Sequence, residues 1–386
     1  MRGSVRMAQQ NEKKRVFISA AEPSGDAHCA GLITAIHKAG RDIEFVGAGG
    51  RQMEAAGCRL LELTTDRAAM TYNAFWQVWY YYKLIRQITG YLKNNRTDLV
   101  IVCDSPAFNG HVAKAAKKYS IKTLFYVAPQ LWAWAPWRIY KLRKYCDRLA
   151  CILPFEEQWF CSRGVQAQFV GNPLLDELAV KPTANEKNYT DFDPTFAKIA
   201  LMPGSRRAEI NKLWLPMQQA ALKIKEKWPG VRFTVVAVDE QAKTLLKEKQ
   251  AGDFVCEYTI ASVLQTATEA DFAILASGSA TLQVAAAACP MVIMYQTSRI
   301  LWHLCGKALV RTRFLSLVNI LADTRLVPEF MPYFGSADSI ADTCIELLDD
   351  KRKLRETSHK LAELASPLAE GKACRKVEQM VMEMLA

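Results

Sequence analysis

The sequence predicts an α/β protein of two doubly wound units, each a parallel sheet covered by helices on both faces. Three observations carry this reading. Short β-branched or apolar runs recur along the 386 residues and alternate with helix-like segments, the pattern of strands buried on both sides. Two such series are separated by a stretch rich in proline and charge, and the length suits two units rather than one. Hydrophobic residues make up 50% of the chain, enough for two packed cores and too many for wholesale disorder.

The first series runs through 15–20 (RVFISA), 44–49 (EFVGAG), 99–104 (LVIVCD), 122–128 (KTLFYVA), 148–153 (RLACIL) and 166–171 (QAQFVG). The join, 172–197, carries Pro173, Pro182 and Pro194 among small and charged residues, as a linker does. The second series is 198–205 (KIALMPGS), 232–238 (RFTVVAV), 271–277 (DFAILAS) and 291–295 (MVIMY). From Ser336 onward the pattern is helical, with Ile340, Cys344, Leu347 and Leu348 on one apolar face. The expected units are 14–172 and 173–354, with 355–386 returning to pack on the first.

Lys and Arg number 50 against 39 Asp and Glu, a formal charge of +11 that suits an anionic partner. The 11 cysteines are odd in number, form no CxxC pair and sit partly in apolar runs, so buried free thiols in a reducing compartment are expected. No secretory signal is visible, and no apolar run is long enough to span a bilayer. His28, His37, His111, His303 and His359 lack metal-ligand spacing, so no metal site is expected. No nucleic-acid motif accompanies the charge.

In an open parallel sheet, ligands bind beyond the carboxyl ends of the strands. Glu22 follows the first strand beside Ser24-Gly25-Asp26 and is placed to accept hydrogen bonds from hydroxyls, while Asp26 reads as a helix cap. Gly49 and Gly50 allow either close ligand approach or a plain tight turn. Asp104 ends an apolar run, a setting that raises a carboxylate's pKa and suits a general base; a cap for the next helix is the equal alternative. In the second unit, Gly204, Ser205 and Arg206 open a helix whose N–H groups point at any anion. Ser277, Gly278, Ser279, Ala280 and Thr281 repeat that logic after another strand, and together the two loops favour a nucleotide-diphosphate site. Two aromatic segments remain, one around Trp76, Trp79 and Tyr80, the other around Trp132 and Trp134 beside Arg138–Arg148. The first suits contact with a lipid headgroup layer; the second could equally stack bases or contact lipid phosphate, with burial of its tryptophans the plainer alternative.

The order and wording of these loops resemble the lipid-A-disaccharide synthases, inverting glycosyltransferases of the GT-B fold. The matching stretches include AEPSGD (21–26), DSPAFN (104–109), CILPFE (151–156), LMPGSRRAEI (201–210), LASGSATLQVA (275–285) and SLVNILAD (316–323). The resemblance implies two Rossmann-like domains facing a cleft, with C-terminal helices returning to the N-terminal domain. It implies transfer from UDP-2,3-diacylglucosamine to the 6-hydroxyl of 2,3-diacylglucosamine 1-phosphate, giving a β(1→6) disaccharide and UDP, without a metal or other cofactor. It further implies work on the cytoplasmic face of the inner membrane, against its anionic surface, and homodimers that exchange C-terminal segments. Position by position, Asp104 matches the base, Arg206 the PGSR arginine and Asn319 the polar residue of the SLPNLLA loop. Glu22 is expected to be catalytic beside Asp104 and Arg206, and Gly49, Gly50, Asn109 and Asn319 to bind substrate. The chain departs from the family at Ala21, Met70-Thr71, Ala74, Ala107, Asn172 and Gln283, the last standing where an acid commonly meets the nucleotide ribose. Two rivals stay open: a UDP-sugar epimerase, which shares the fold but needs no lipid-facing aromatic surface such as 76–82, and a low-activity nucleotide-sugar or membrane-binding homologue, which the Gln283 and Ala107 changes keep in play.

Overall fold

A computed structural model describes residues 13–64, 74–180, 187–306, 309–369 and 372–386. The described chain forms two compact units. The first takes the described residues of 1–131, 136–176 and 371–386; the second takes those of 132–135 and 177–370.

The first unit is a seven-stranded sheet in the order β3-β2-β1-β4-β5-β6-β7. Its strands are β1 (Lys14–Ala20), β2 (Ile43–Gly49), β3 (Arg59–Leu63), β4 (Leu99–Cys103), β5 (Lys122–Tyr126), β6 (Arg148–Cys151) and β7 (Ala167–Phe169). All neighbouring pairs are parallel. The order reverses between β1 and β4, where Ala20 pairs with Cys103, so the two connections leaving these strands diverge and open a crevice at their carboxyl ends. The helix Pro23–Lys38 buries Cys29, Leu32, Ile33 and Ile36 on the sheet, and the C-terminal helix Ala373–Leu385 adds Val377, Met380, Val381 and Met384 to that core. Asp176 fixes the start of this last helix by accepting from the Ala373 and Cys374 N–H groups.

The second unit is a six-stranded sheet in the order β10-β9-β8-β11-β12-β13, again all parallel. It comprises β8 (Lys198–Met202), β9 (Arg232–Val236), β10 (Glu257–Thr259), β11 (Phe272–Ala276), β12 (Met291–Met294) and β13 (Glu329–Phe330). Its switch point lies between β8 and β11. Ile340, Cys344, Leu347 and Leu348 of the helix Ala337–Asp349 join its core, as does Leu354 of the helix Lys351–Ala365.

The sequence pattern finds every central strand. It misses β3, β10 and β13, which lie at sheet edges and are short or only partly buried, so their apolar signal is diluted. Of the ten cysteines with described side chains, all are free and six are buried, but Cys161 is exposed. Among the described residues no helix is long and apolar enough to cross a membrane.

Candidate functional site

At the first unit's switch point, the chain leaves β1 through Glu22 and β4 through Asp104-Ser105. Because β1 and β4 are hydrogen-bonded neighbours, these two loops lie side by side, and Ser105 Oγ donates to Glu22 Oε1 at 3.0 Å. The turn is strained. Asp104 and Ser105 both adopt left-handed conformations, with φ of 53° and 41°, which cost of order 1–3 kcal/mol each outside glycine. The N-cap position of the helix Pro106–Lys118 is Ser105, one residue after Asp104. Half-buried Tyr81 stands near Glu22; burial first and that carboxylate second push its phenol above the usual range. Its ring packs on Phe108 at 5.3 Å.

Asn109 holds the strained turn. Its Nδ2 donates to the carbonyls of Cys103 (2.7 Å) and Asp104 (2.9 Å), while its Oδ1 accepts from Ser19 Oγ at 2.8 Å. Wholly buried and fully engaged, Asn109 contacts protein where the sequence suggested substrate. Gly49 and Gly50 are corrected likewise. Buried Asp26 accepts from the N–H groups of Gly50, Gln52 and Met53, thereby capping the helix Arg51–Ala55 rather than its own. A Cβ on Gly49 would stand 2.2 Å from Met53 Sδ, so a side chain there would require the buried Met53 thioether to move.

At the second switch point, the β8 loop passes through Gly204 (φ 107°) into the helix Arg207–Lys227. Here the expectation of free N–H groups needs revision. Glu209 Oε2 accepts from the N–H groups of Ser205 (3.2 Å) and Arg206 (3.3 Å), and its Oε1 lies 3.7 Å from the Arg206 guanidinium. The protein's own carboxylate thus occupies the anion position. The adjacent β11 loop leaves Gly278 and Ser279 exposed and Ser277 half-buried, with Gln283 half-buried one turn into the helix Ala280–Ala286. Thr281 is turned inward, its buried hydroxyl donating to the Gly278 carbonyl at 2.7 Å, so it shapes the loop instead of lining it.

Asn319 also departs from its expected place. It is buried, its amide exchanging hydrogen bonds with the Val327 backbone in both directions and donating to Glu329 Oε2 at 3.0 Å. Glu329 in turn accepts from the Leu315 and Ser316 N–H groups, locking the loop before the helix Leu317–Ala322.

The aromatic segments divide. In the helix Ala74–Asn94, Val78, Trp79 and Tyr82 are exposed, whereas Tyr80 Oη donates to Glu62 at 3.4 Å. The Trp76 side chain, and Met70 and Thr71, lie outside the described residues. Trp132 is only 7% exposed, which removes it from membrane contact; Trp134 is 44% exposed and its strand-like bridge to Val310 fixes it within the second unit. Burial wins at Trp132 because its segment is held there by the Arg311 N–H donating to the Ala133 carbonyl. Among the described residues no cluster of three or more His, Cys, Asp or Glu side chains is placed to hold a metal.

Glu209 and Ser19 were missed from sequence although both leave a trace. Glu209 stands at the third helical position, the spacing of a capping carboxylate. Ser19 is the polar interruption of an otherwise apolar strand.

A family profile described as lipid-A-disaccharide synthetase matches residues 16–384. A lipid-A-disaccharide synthase from Geobacter sulfurreducens is 33% identical over 387 residues, covering 97% of this chain and 98% of that one. Among solved structures, a UDP-N-acetylglucosamine 2-epimerase described as putative, from Listeria monocytogenes, aligns with a TM-score of 0.65 at 12% identity, covering 95% of this chain and 94% of its own. The calicheamicin glycosyltransferase CalG4 aligns with a TM-score of 0.61 at 14% identity, covering 97% and 98%. At such identities the structural likeness speaks for the fold alone, which glycosyltransferases and epimerases share.

Proposed function

The chain belongs to the lipid-A-disaccharide synthetase family and is a glycosyltransferase; on that premise we propose that it joins UDP-2,3-diacylglucosamine to 2,3-diacylglucosamine 1-phosphate. The observation that carries this reading is the different chemistry at the two switch points. One unit presents Glu22 and Asp104, and the other presents Arg206 with two serine–glycine loops. In the reaction, Asp104 takes the proton of the acceptor's 6-hydroxyl as that oxygen attacks the anomeric carbon from the face opposite UDP. The bond from that carbon to the diphosphate oxygen breaks, the configuration inverts, and UDP leaves with the electron pair.

Arg206, the Ser205 N–H and the Ser277–Ser279 loop stabilise the leaving diphosphate, and Gln283 is the partner for the ribose diol. For the amides to do so, Glu209 must turn aside. A bidentate arginine and backbone donors can supply this stabilisation without a metal, so EDTA should leave the rate unchanged. Asn109 and Ser19 act through Asp104 as positioning residues.

Exposed Val78, Trp79 and Tyr82, beside Lys83 and Arg86, support a peripheral seat on an anionic membrane face, which we propose, on the family resemblance, is the cytoplasmic face of the inner membrane. A homodimer that exchanges the helix Ala373–Leu385 is proposed from the same resemblance; a monomer mass in solution would overturn it.

The test is incubation of the purified protein with both acylated sugars. Disaccharide plus UDP supports the reading. Interconversion of the UDP-sugar without acceptor would replace it with an epimerase, and binding without product with a nucleotide-sugar-binding homologue.

A further inference from the structure

Within the second unit, a pocket opens beside the edge strand β13, at the opposite end of the sheet from the serine–glycine loops. Pro290 and Pro328 lead into β12 and β13, so the pocket meets these parallel strands at their amino ends. Its volume is about 420 Å³, within the range of small-molecule sites. Met291 and Phe330 line it from the sheet. Thr343 and Leu347 line it from one face of the helix Ala337–Asp349, and Leu354 and Thr357 from one face of the helix Lys351–Ala365. Met291, Leu347 and Leu354 are buried and give the pocket an apolar floor.

The charge offered to an occupant has one sign. Arg325 and Lys353 line the pocket and are exposed, and among the described residues neither holds an ion pair. The one acid in the lining, Glu329, is already engaged by the Leu315 and Ser316 N–H groups and the Asn319 amide. Those donors offset its charge, which leaves a guanidinium and an ammonium to meet a ligand. A neutral apolar molecule would give the two cations no partner, and a bare inorganic anion would leave the floor wet. An organic phosphate with an apolar body answers both. We propose that this pocket is a binding site for a small organic phosphate. Its phosphate meets Arg325 and Lys353, the Thr343 and Thr357 hydroxyls are further donors, and its apolar body lies on Met291, Leu347 and Leu354. The site stands apart from the switch point between β8 and β11, so it is independent of the sugar-transfer reading.

Naphthyl phosphate is a suitable probe, because it joins a dianion to an aromatic body that the pocket can hold. Its binding to the full-length protein is followed by NMR line broadening of the probe, with naphthol and inorganic phosphate as the two half-ligands. The wild type should bind naphthyl phosphate with a Kd of about 0.5 mM, the usual efficiency for a ligand of its size, and each half-ligand at least fivefold more weakly. Arg325→Gln and Lys353→Gln should each weaken the probe at least threefold with no change in melting temperature, since both side chains are exposed. Thr343→Phe, which fills the pocket, should abolish binding; if that variant does not fold, the two glutamine variants decide. Arg206→Ala should bind the probe as the wild type does. Absence of saturable binding would overturn the proposal, as would wild-type affinity in both glutamine variants. Loss of binding in Arg206→Ala alone would move the probe to the nucleotide loops, and naphthol binding as tightly as its phosphate would remove the anion from the site; either result overturns the assignment.

Discussion

Replacing Asn109, itself wholly buried, by alanine removes three hydrogen bonds at once. The Ser19 hydroxyl loses its acceptor, and the Cys103 and Asp104 carbonyls lose a shared donor. At about 1 kcal/mol for each bond, and more where a buried group is left unsatisfied, the loss is about 3 kcal/mol. That is a large fraction of the roughly 5–15 kcal/mol that hold a domain folded. Urea unfolding should show it as a lower midpoint with an unchanged slope. Asn109→Asp is the sharper variant, since it keeps the volume and the acceptor for Ser19 but replaces two donors with a carboxylate facing two carbonyls. It should destabilise at least as much, and in the fraction that remains folded kcat should fall more than KM rises, because Asp104 loses its orientation. An Asn109→Asp protein with wild-type stability and kcat would refute the idea that this amide holds the base.

Other predictions follow from the same geometry. Arg206→Ala should weaken UDP binding about tenfold or more, whereas Glu209→Gln should tighten it about threefold by removing the internal anion; calorimetry that finds tighter binding in neither Glu209→Gln nor any other charge-removing variant there would clear Glu209 of competition. Burial lowers the His28 pKa from 6.5 to about 4, against a smaller opposing pull from Asp176. The unfolded chain therefore takes up a proton that the folded one refuses, so stability present above pH 6.5 should be lost progressively down to pH 4, about 3 kcal/mol in all. His28→Phe should flatten the dependence of the urea midpoint over that window, and an unaltered slope would contradict the assignment. Trp79→Ser should release the protein from anionic vesicles with no change in melting temperature. Trp132→Ser should do the reverse, losing about 3–5 kcal/mol of stability while vesicle binding holds.

The parallel sheets were legible because their central strands are unbroken apolar runs, and that pattern also marked the strand ends where ligands bind; which of those ends flank a switch point depends on strand order, which the runs do not encode. The strand-end carboxylates Glu22 and Asp104 were legible for the same reason, since residues that end such runs stand at the ligand-binding edge. Asn109 and Asn319 were not. A polar residue in a loop motif reads as a substrate contact, and nothing in its neighbours announces that its partners are backbone carbonyls or a glutamate ten residues on. Asp26 shows the same limit: its spacing marks a cap, but the helix it caps begins 25 residues later and becomes its neighbour only through β1–β2 pairing. Glu209 was hidden differently. The loop was read as a site awaiting an anion, while the carboxylate three residues on already supplies one. Trp132 and Trp134, two residues apart, differ sixfold in exposure because one turns into the second unit's packing, which composition cannot decide.

The most direct measurement is the single-turnover rate of disaccharide formation by Asp104→Asn with saturating donor and acceptor. The variant keeps the side chain's size and the left-handed turn, so UDP affinity and melting temperature should match the wild type while the rate falls by about two orders of magnitude or more. A rate within threefold of the wild type would show that another group takes the proton, and the carboxylate around which the first unit's switch point is arranged would lose its role.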